Sequence, residues 1–142
     1  MLLGLDGRKM SKSYDNTIPL FLPEKKLKKA INKIRTNLLE PGEPKDPNDS
    51  AVFQIWQAFA TPDQTSDMRQ AFEDGIAWGE AKKQLFELVN AQIAPARARY
   101  DELMANPAEV EVILTQGAEK ARNEARKILS KVHKLTGLGK LA

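Results

Sequence analysis

The chain has no cysteine and a single histidine, His133, in 142 residues. The first absence excludes disulfides and thiolate metal sites, and the second excludes a metal centre built from several histidines. No apolar run approaches the roughly 20 residues that a membrane-spanning helix needs. The N-terminus lacks the charged and apolar regions of a secretory leader, and there is no internal repeat and no low-complexity tract. Nothing in this pattern points to export, so the expected location is cytoplasmic.

What is present is a mixture typical of a folded domain, with 42% hydrophobic and 29% charged residues. The length suits one domain and is enough to bury a core. The net charge of +3 conceals an asymmetry. Residues 1–39 carry nine Lys/Arg against three Asp/Glu, residues 40–116 six against fourteen, and residues 117–142 seven against two. Basic ends around an acidic middle suggest a polyanionic partner, although charge alone favours solvated helix faces.

The chain opens on turn residues Gly4-Leu5-Asp6-Gly7 and a basic, serine-rich loop through Ser13. Thr17–Leu22 reads as a short extended piece whose pairing Pro19 limits. Pro23 suits a first helical turn, and Leu27, Ala30, Ile31 and Ile34 predict a helix to about Asn37. A loop rich in proline and acid covers residues 40–49, and Asp49 or Ser50 caps the next helix, whose stripe is Val52, Ile55, Trp56 and Phe59. Ser66 is expected to cap a short helix with Met68, Ala71 and Phe72, before Gly75 and Gly79 interrupt around Trp78.

A long helix is predicted from about Gly79 to Met104, kinked at Pro95. After Asn106-Pro107 comes a short helix with Val110, Ile113 and Leu114. A last helix runs from near Gly117 to Thr136, with Ala118, Ala121, Ala125, Ile128, Leu129, Val132 and Leu135 as its core face. Gly137 ends it and the tail through Ala142 is expected to fray. The fold class is therefore all-α, an irregular bundle of about six helices. Residues 1–22 have little core of their own and read as the edge of another domain; residues 23–142 form the helical one.

One motif carries chemistry. Lys9-Met10-Ser11-Lys12-Ser13 places two ammonium groups, two hydroxyls and several backbone donors on one short loop, with Arg8 beside it. Such a loop suits phosphate oxygens. None of its groups titrates near neutrality, so its role is electrostatic rather than acid–base. The alternative is an incidental basic loop exposed to solvent.

These five residues resemble the KMSKS signature of class I aminoacyl-tRNA synthetases, which lies just before a helical anticodon-binding domain. Further strings are similar to bacterial tryptophanyl-tRNA synthetases. They are Gly4–Arg8, Tyr14-Asp15-Asn16, Lys29–Ile34, Trp78–Lys83, Pro95–Tyr100, Gly117–Ala121 and Gly137-Leu138-Gly139. A tyrosyl-type synthetase is the neighbouring alternative.

The resemblance implies a C-terminal fragment of an enzyme that joins tryptophan to its tRNA through ATP. It implies that Lys9 and Lys12 contact the phosphates and stabilise the leaving pyrophosphate, with Ser11 and Ser13 as donors and Met10 shaping the loop. Magnesium is expected to accompany ATP without a ligand set in this chain, and the intact enzyme is expected to be a homodimer, the fragment a monomer. The His-Ile-Gly-His signature, a tryptophan pocket and a complete nucleotide-binding domain are missing, so the fragment alone is expected to be inactive.

For tRNA contact the candidates are Lys82, Lys83, Arg97 and Arg99 on the long helix. Glu80 and Glu87 offer local ion pairs as an alternative. The lysines of the first helix and the basic last helix suit phosphate contact or solvation. Helical spacing favours core packing of Trp56, Trp78 and Tyr100 over base stacking. Two further readings remain: a free-standing RNA-binding helical module and a plain helical interaction domain.

Overall fold

A computed structural model describes residues 2–138. Met1, the expected start of the fragment, lies outside them, as do Gly139 and the tail to Ala142 expected to fray. Among the described residues are five α-helices: α1 Glu24–Asn32, α2 Ala51–Phe59, α3 Pro62–Glu73, α4 Trp78–Ala105 and α5 Pro107–Thr136. Two short 3-10 turns, Lys12–Tyr14 and Pro47–Asp49, complete the order, and the β content is one antiparallel bridge between Leu3 and Lys9. The all-α expectation holds. The chain divides into two compact units, Met1–Arg99 and Tyr100–Ala142.

The first unit has one core. Leu27, Ile31 and Ile34 meet Val52, Phe53, Ile55 and Trp56 of α2, Met68 and Phe72 of α3, and Ala81, Leu85, Val89 and Ile93 of α4. The α4 set recurs every four residues, which puts it on one face of that helix. Phe72 joins the layers, with edge contacts to Phe53 at 5.4 Å and Trp78 at 5.5 Å between centroids. Trp56 is buried and Trp78 partly so, both packed in the core as their spacing suggested, whereas Tyr100, expected there with them, is 40% exposed. Leu3, Leu5, Ile18, Phe21 and Leu22 of the opening segment pack on this same core.

Several boundaries differ from the sequence reading. α1 stops at Asn32, not near Asn37. The Arg35 amide donates to Leu5 O at 2.8 Å instead of to a helical carbonyl, while Ile34 still reaches the core from the turn. α3 begins at Pro62, four residues before Ser66. Thr61 and Gln64 form a reciprocal capping box, and Pro62 fills the first turn. Ser50 caps α2 as one of the two expected candidates.

α5 is one helix through Gly117, where two were expected. A single glycine costs about 1 kcal/mol in a helix interior, too little to break a 30-residue run. The face expected to be core in the last helix is not buried; Ile128 is 66% exposed and Leu135 87%. α4 runs through Pro95.

The acidic loop is held from below by Lys45. Its side chain is buried and donates from Nζ to Glu40 O at 2.9 Å and Glu43 O at 2.8 Å. The ammonium also lies 5.6 Å from the Trp78 ring centroid. Two carbonyls and a ring face compensate the cost of burying that charge.

Candidate functional site

The signature loop is shaped by a side chain that reaches back into it. Asn16 is 2% exposed. Its Oδ1 accepts from the Ser11 amide at 2.7 Å, and its Nδ2 donates to Asp6 Oδ1 at 2.8 Å and Lys9 O at 3.1 Å. One amide thus ties both ends of the Lys9–Ser11 segment to the preceding turn. Gly4 permits this, since a Cβ there would lie 2.5 Å from Asn16 O. Backbone bonds from Gly4 N to Arg8 O and from Leu5 N to Asn16 O, at 2.7 and 2.9 Å, close the frame.

Asp6 is the second organiser. It accepts from the Arg8 amide at 3.0 Å and from Arg8 Nε at 2.7 Å, besides Asn16. Hydrogen bonds from Asn16 and then Arg8 hold its carboxyl down at about 2. The Arg8 guanidinium lies 4.5 Å from the Tyr14 ring centroid. Past Ser11, whose Oγ accepts from the Ser13 amide at 3.3 Å, the chain makes one 3-10 turn. It leaves through Asp15 at φ 49°.

This frame leaves Lys9, Lys12 and Ser13 exposed and Met10 and Ser11 partly buried. The ammonium groups therefore stand free of the fold, on a backbone that is fixed. Arg8 instead turns to Asp6 and lines a hollow of about 850 Å³ with Asp6, Arg35, Asn37 and Trp78 among others. None of Lys9–Ser13 lines it.

The four tRNA candidates do not form one cluster. Lys82 and Lys83 share a groove of about 410 Å³ with Lys28, Asn32, Gly79 and Phe86. Lys82 donates to Asn32 O at 3.1 Å, and burial lowers its pKa. Lys83 is exposed, with Nζ 3.7 Å from Glu80 Oε2. Arg97 is buried, with Nη2 on Asn90 Oδ1 at 2.9 Å and Nε without a hydrogen-bond partner. Arg99 lies exposed two residues on.

In the sequence Asn16 stands out only within the string Tyr14-Asp15-Asn16, and Phe86 carries no motif. The available signal for Phe86 was an aromatic beside the Leu85–Val89 stripe and one turn from two lysines.

Comparison with known proteins places this loop and the helices after it among the aminoacyl-tRNA synthetases. The chain is 54% identical over 138 residues to the tryptophan–tRNA ligase of Neisseria meningitidis, covering 97% of this chain and 41% of that protein. It is 51% identical to that of Xanthomonas campestris, covering 99% and 33%. A crystal structure of tryptophanyl-tRNA synthetase from Campylobacter jejuni, complexed with ADP and tryptophan, superposes with a TM-score of 0.85 at 40% identity. That match covers 96% of this chain and 43% of the other. No protein-family model matches. The chain is homologous to the tryptophan–tRNA ligases over nearly its whole length and corresponds to a C-terminal part of them. It spans less than half the length of these relatives.

Proposed function

We propose that this chain supplies the ATP phosphate-binding loop and a tRNA-binding helical region to tryptophan–tRNA ligation. The observation that carries the reading is the exposed Lys9–Ser13 loop, held by Asn16, within a chain 54% identical to such a ligase. Residues 1–22 are the loop segment of a catalytic domain and residues 23–142 the anticodon-binding domain, although the opening segment shares the helical core.

In the reaction a carboxylate oxygen of tryptophan attacks the α-phosphorus of ATP. The bond to the bridging oxygen breaks, and pyrophosphate leaves with that electron pair. The aminoacyl group then passes to the 3′ end of the tRNA. Lys9 and Lys12 place positive charge where the phosphate oxygens gain negative charge, and the Ser11 and Ser13 hydroxyls add donors. Closure of such a loop over bound ATP excludes water. The loop need not titrate to do this.

Magnesium travels with ATP and contributes charge neutralisation on the phosphates. Among the described residues no group of three His, Cys, Asp or Glu could hold a metal ion, and Asp6 is engaged by Arg8 and Asn16. No helix among the described residues is long and apolar enough to cross a membrane. The reading places the chain in the cytoplasm, as part of an enzyme that works as a homodimer.

The test is competition binding of the chain to tryptophan tRNA and an unrelated tRNA at moderate salt. Preference for tryptophan tRNA is expected. Absence of any tRNA binding would overturn the tRNA-binding half of the proposal.

A further inference from the structure

The groove between α1 and α4 joins cations to an aromatic side chain. Lys28 comes from α1, and Lys82 and Lys83 from α4, with Phe86 one turn further on. Phe86 packs on the core by part of its surface and lines the groove with the rest. The Lys28 ammonium lies over the Phe86 ring, 5.7 Å from its centroid, so that face is covered by a side chain that is itself exposed. Lys82 is fixed by Asn32 O, at the last residue of α1, which keeps its charge at the bottom of the groove. Lys83 is exposed, with its Nζ 3.7 Å from Glu80 Oε2.

We propose that this groove binds one nucleotide of a single-stranded RNA segment, its phosphate between Lys28 and Lys83 and its base stacked on Phe86. The inference rests on the tRNA-binding reading and gives it a location. A cation groove alone attracts any polyanion, whereas a ring covered only by an exposed, flexible lysine selects a polyanion that carries flat bases. A duplex hides its base faces, so the strand is single. Lys28 is exposed and long enough to swing from the ring to a phosphate oxygen, leaving the ring to the base. Lys82 holds the local positive potential without moving.

The measurement is binding of the full chain to a short labelled single-stranded RNA, and to the same backbone without its bases, across a salt series. Lys28→Ala and Lys83→Ala should each weaken binding and flatten the log–log salt slope by about 0.7. Phe86→Leu, which keeps an apolar side chain on the core, should weaken binding about 5- to 100-fold and leave the slope unchanged. The base-free strand should lose affinity on wild type and show no further loss on Phe86→Leu, a readout that needs no folded variant beyond wild type for its first half. Lys25→Ala, on α1 but outside the groove, is the control.

Equal losses for Lys25→Ala and the groove lysines, with tRNA binding intact, would overturn the location and leave the general reading standing. Equal affinity of wild type for strands with and without bases would overturn the stacking. If the chain binds no RNA at all, both readings fall together.

Discussion

Asp6 and Asn16 set the shape of the loop by mutual hydrogen bonding, and their coupling can be read through one titration. Asp6 is held at about 2, below its ordinary 3.8, with the Asn16 amide as the largest cause. A carboxylate whose pKa is lower in the folded state stabilises that state fully above its unfolded value. The contribution here is therefore complete above about pH 3.8 and disappears as pH falls through about 2. We expect the Asp6 carboxyl carbon, followed by NMR, to titrate near 2 in wild type and measurably higher in Asn16→Ala. The same midpoint in both proteins would mean that Asn16 does not hold Asp6. The lysines of this loop were legible because charge and spacing are written in the sequence. Asn16 was not, because its role depends on the chain returning past Gly4, which no local spacing encodes.

At the scale of elements, the acidic loop and the end of α3 are joined by close backbone approach. Gly42 N donates to Gly75 O at 2.8 Å and Lys45 N to Phe72 O at 2.9 Å. Gly75 has φ 86°, and a Cβ there would lie 2.5 Å from Gly42 C. Gly42 has a similar φ of 89° but open space around it. Alanine at either site bears the left-handed backbone strain, of about 1–3 kcal/mol. Only Gly75→Ala also forces two backbones apart. Gly75→Ala should therefore lower stability in chemical denaturation clearly more than Gly42→Ala, and equal losses would argue against the close approach. Of these elements the sequence disclosed helix cores and narrowed the α2 cap to Asp49 or Ser50, since both signals are local; Ser50 is the cap. It misplaced the start of α3 by overlooking Thr61 and Gln64 three residues apart, and it divided α5 at Gly117 by giving one glycine more weight than its energy warrants.

For the whole molecule, the first unit has its own core, and the Ile128–Leu135 stripe of α5 shows how far periodicity can be trusted. Helical spacing revealed that α5 has an apolar face, but not what covers it, because burial depends on a partner surface and not on the helix alone. The same distinction governs activity. A phosphate loop and helices can lower the energy of a leaving pyrophosphate only when tryptophan and the α-phosphate are held in line. The 142 residues contain one histidine and hence no His-Ile-Gly-His signature. The larger hollow, of about 850 Å³, is lined by Asp6, Arg8, Arg35 and Trp78 and excludes Lys9–Ser13. Bound groups there would lie off the signature lysines. We therefore expect the purified chain to show no tryptophan-dependent exchange of labelled pyrophosphate into ATP, at a tRNA-binding concentration and with magnesium present. Exchange above the level of a Lys9→Ala, Lys12→Ala double variant would show that these residues assemble a complete activation site, and would overturn the assignment of the chain to a supporting part of the reaction.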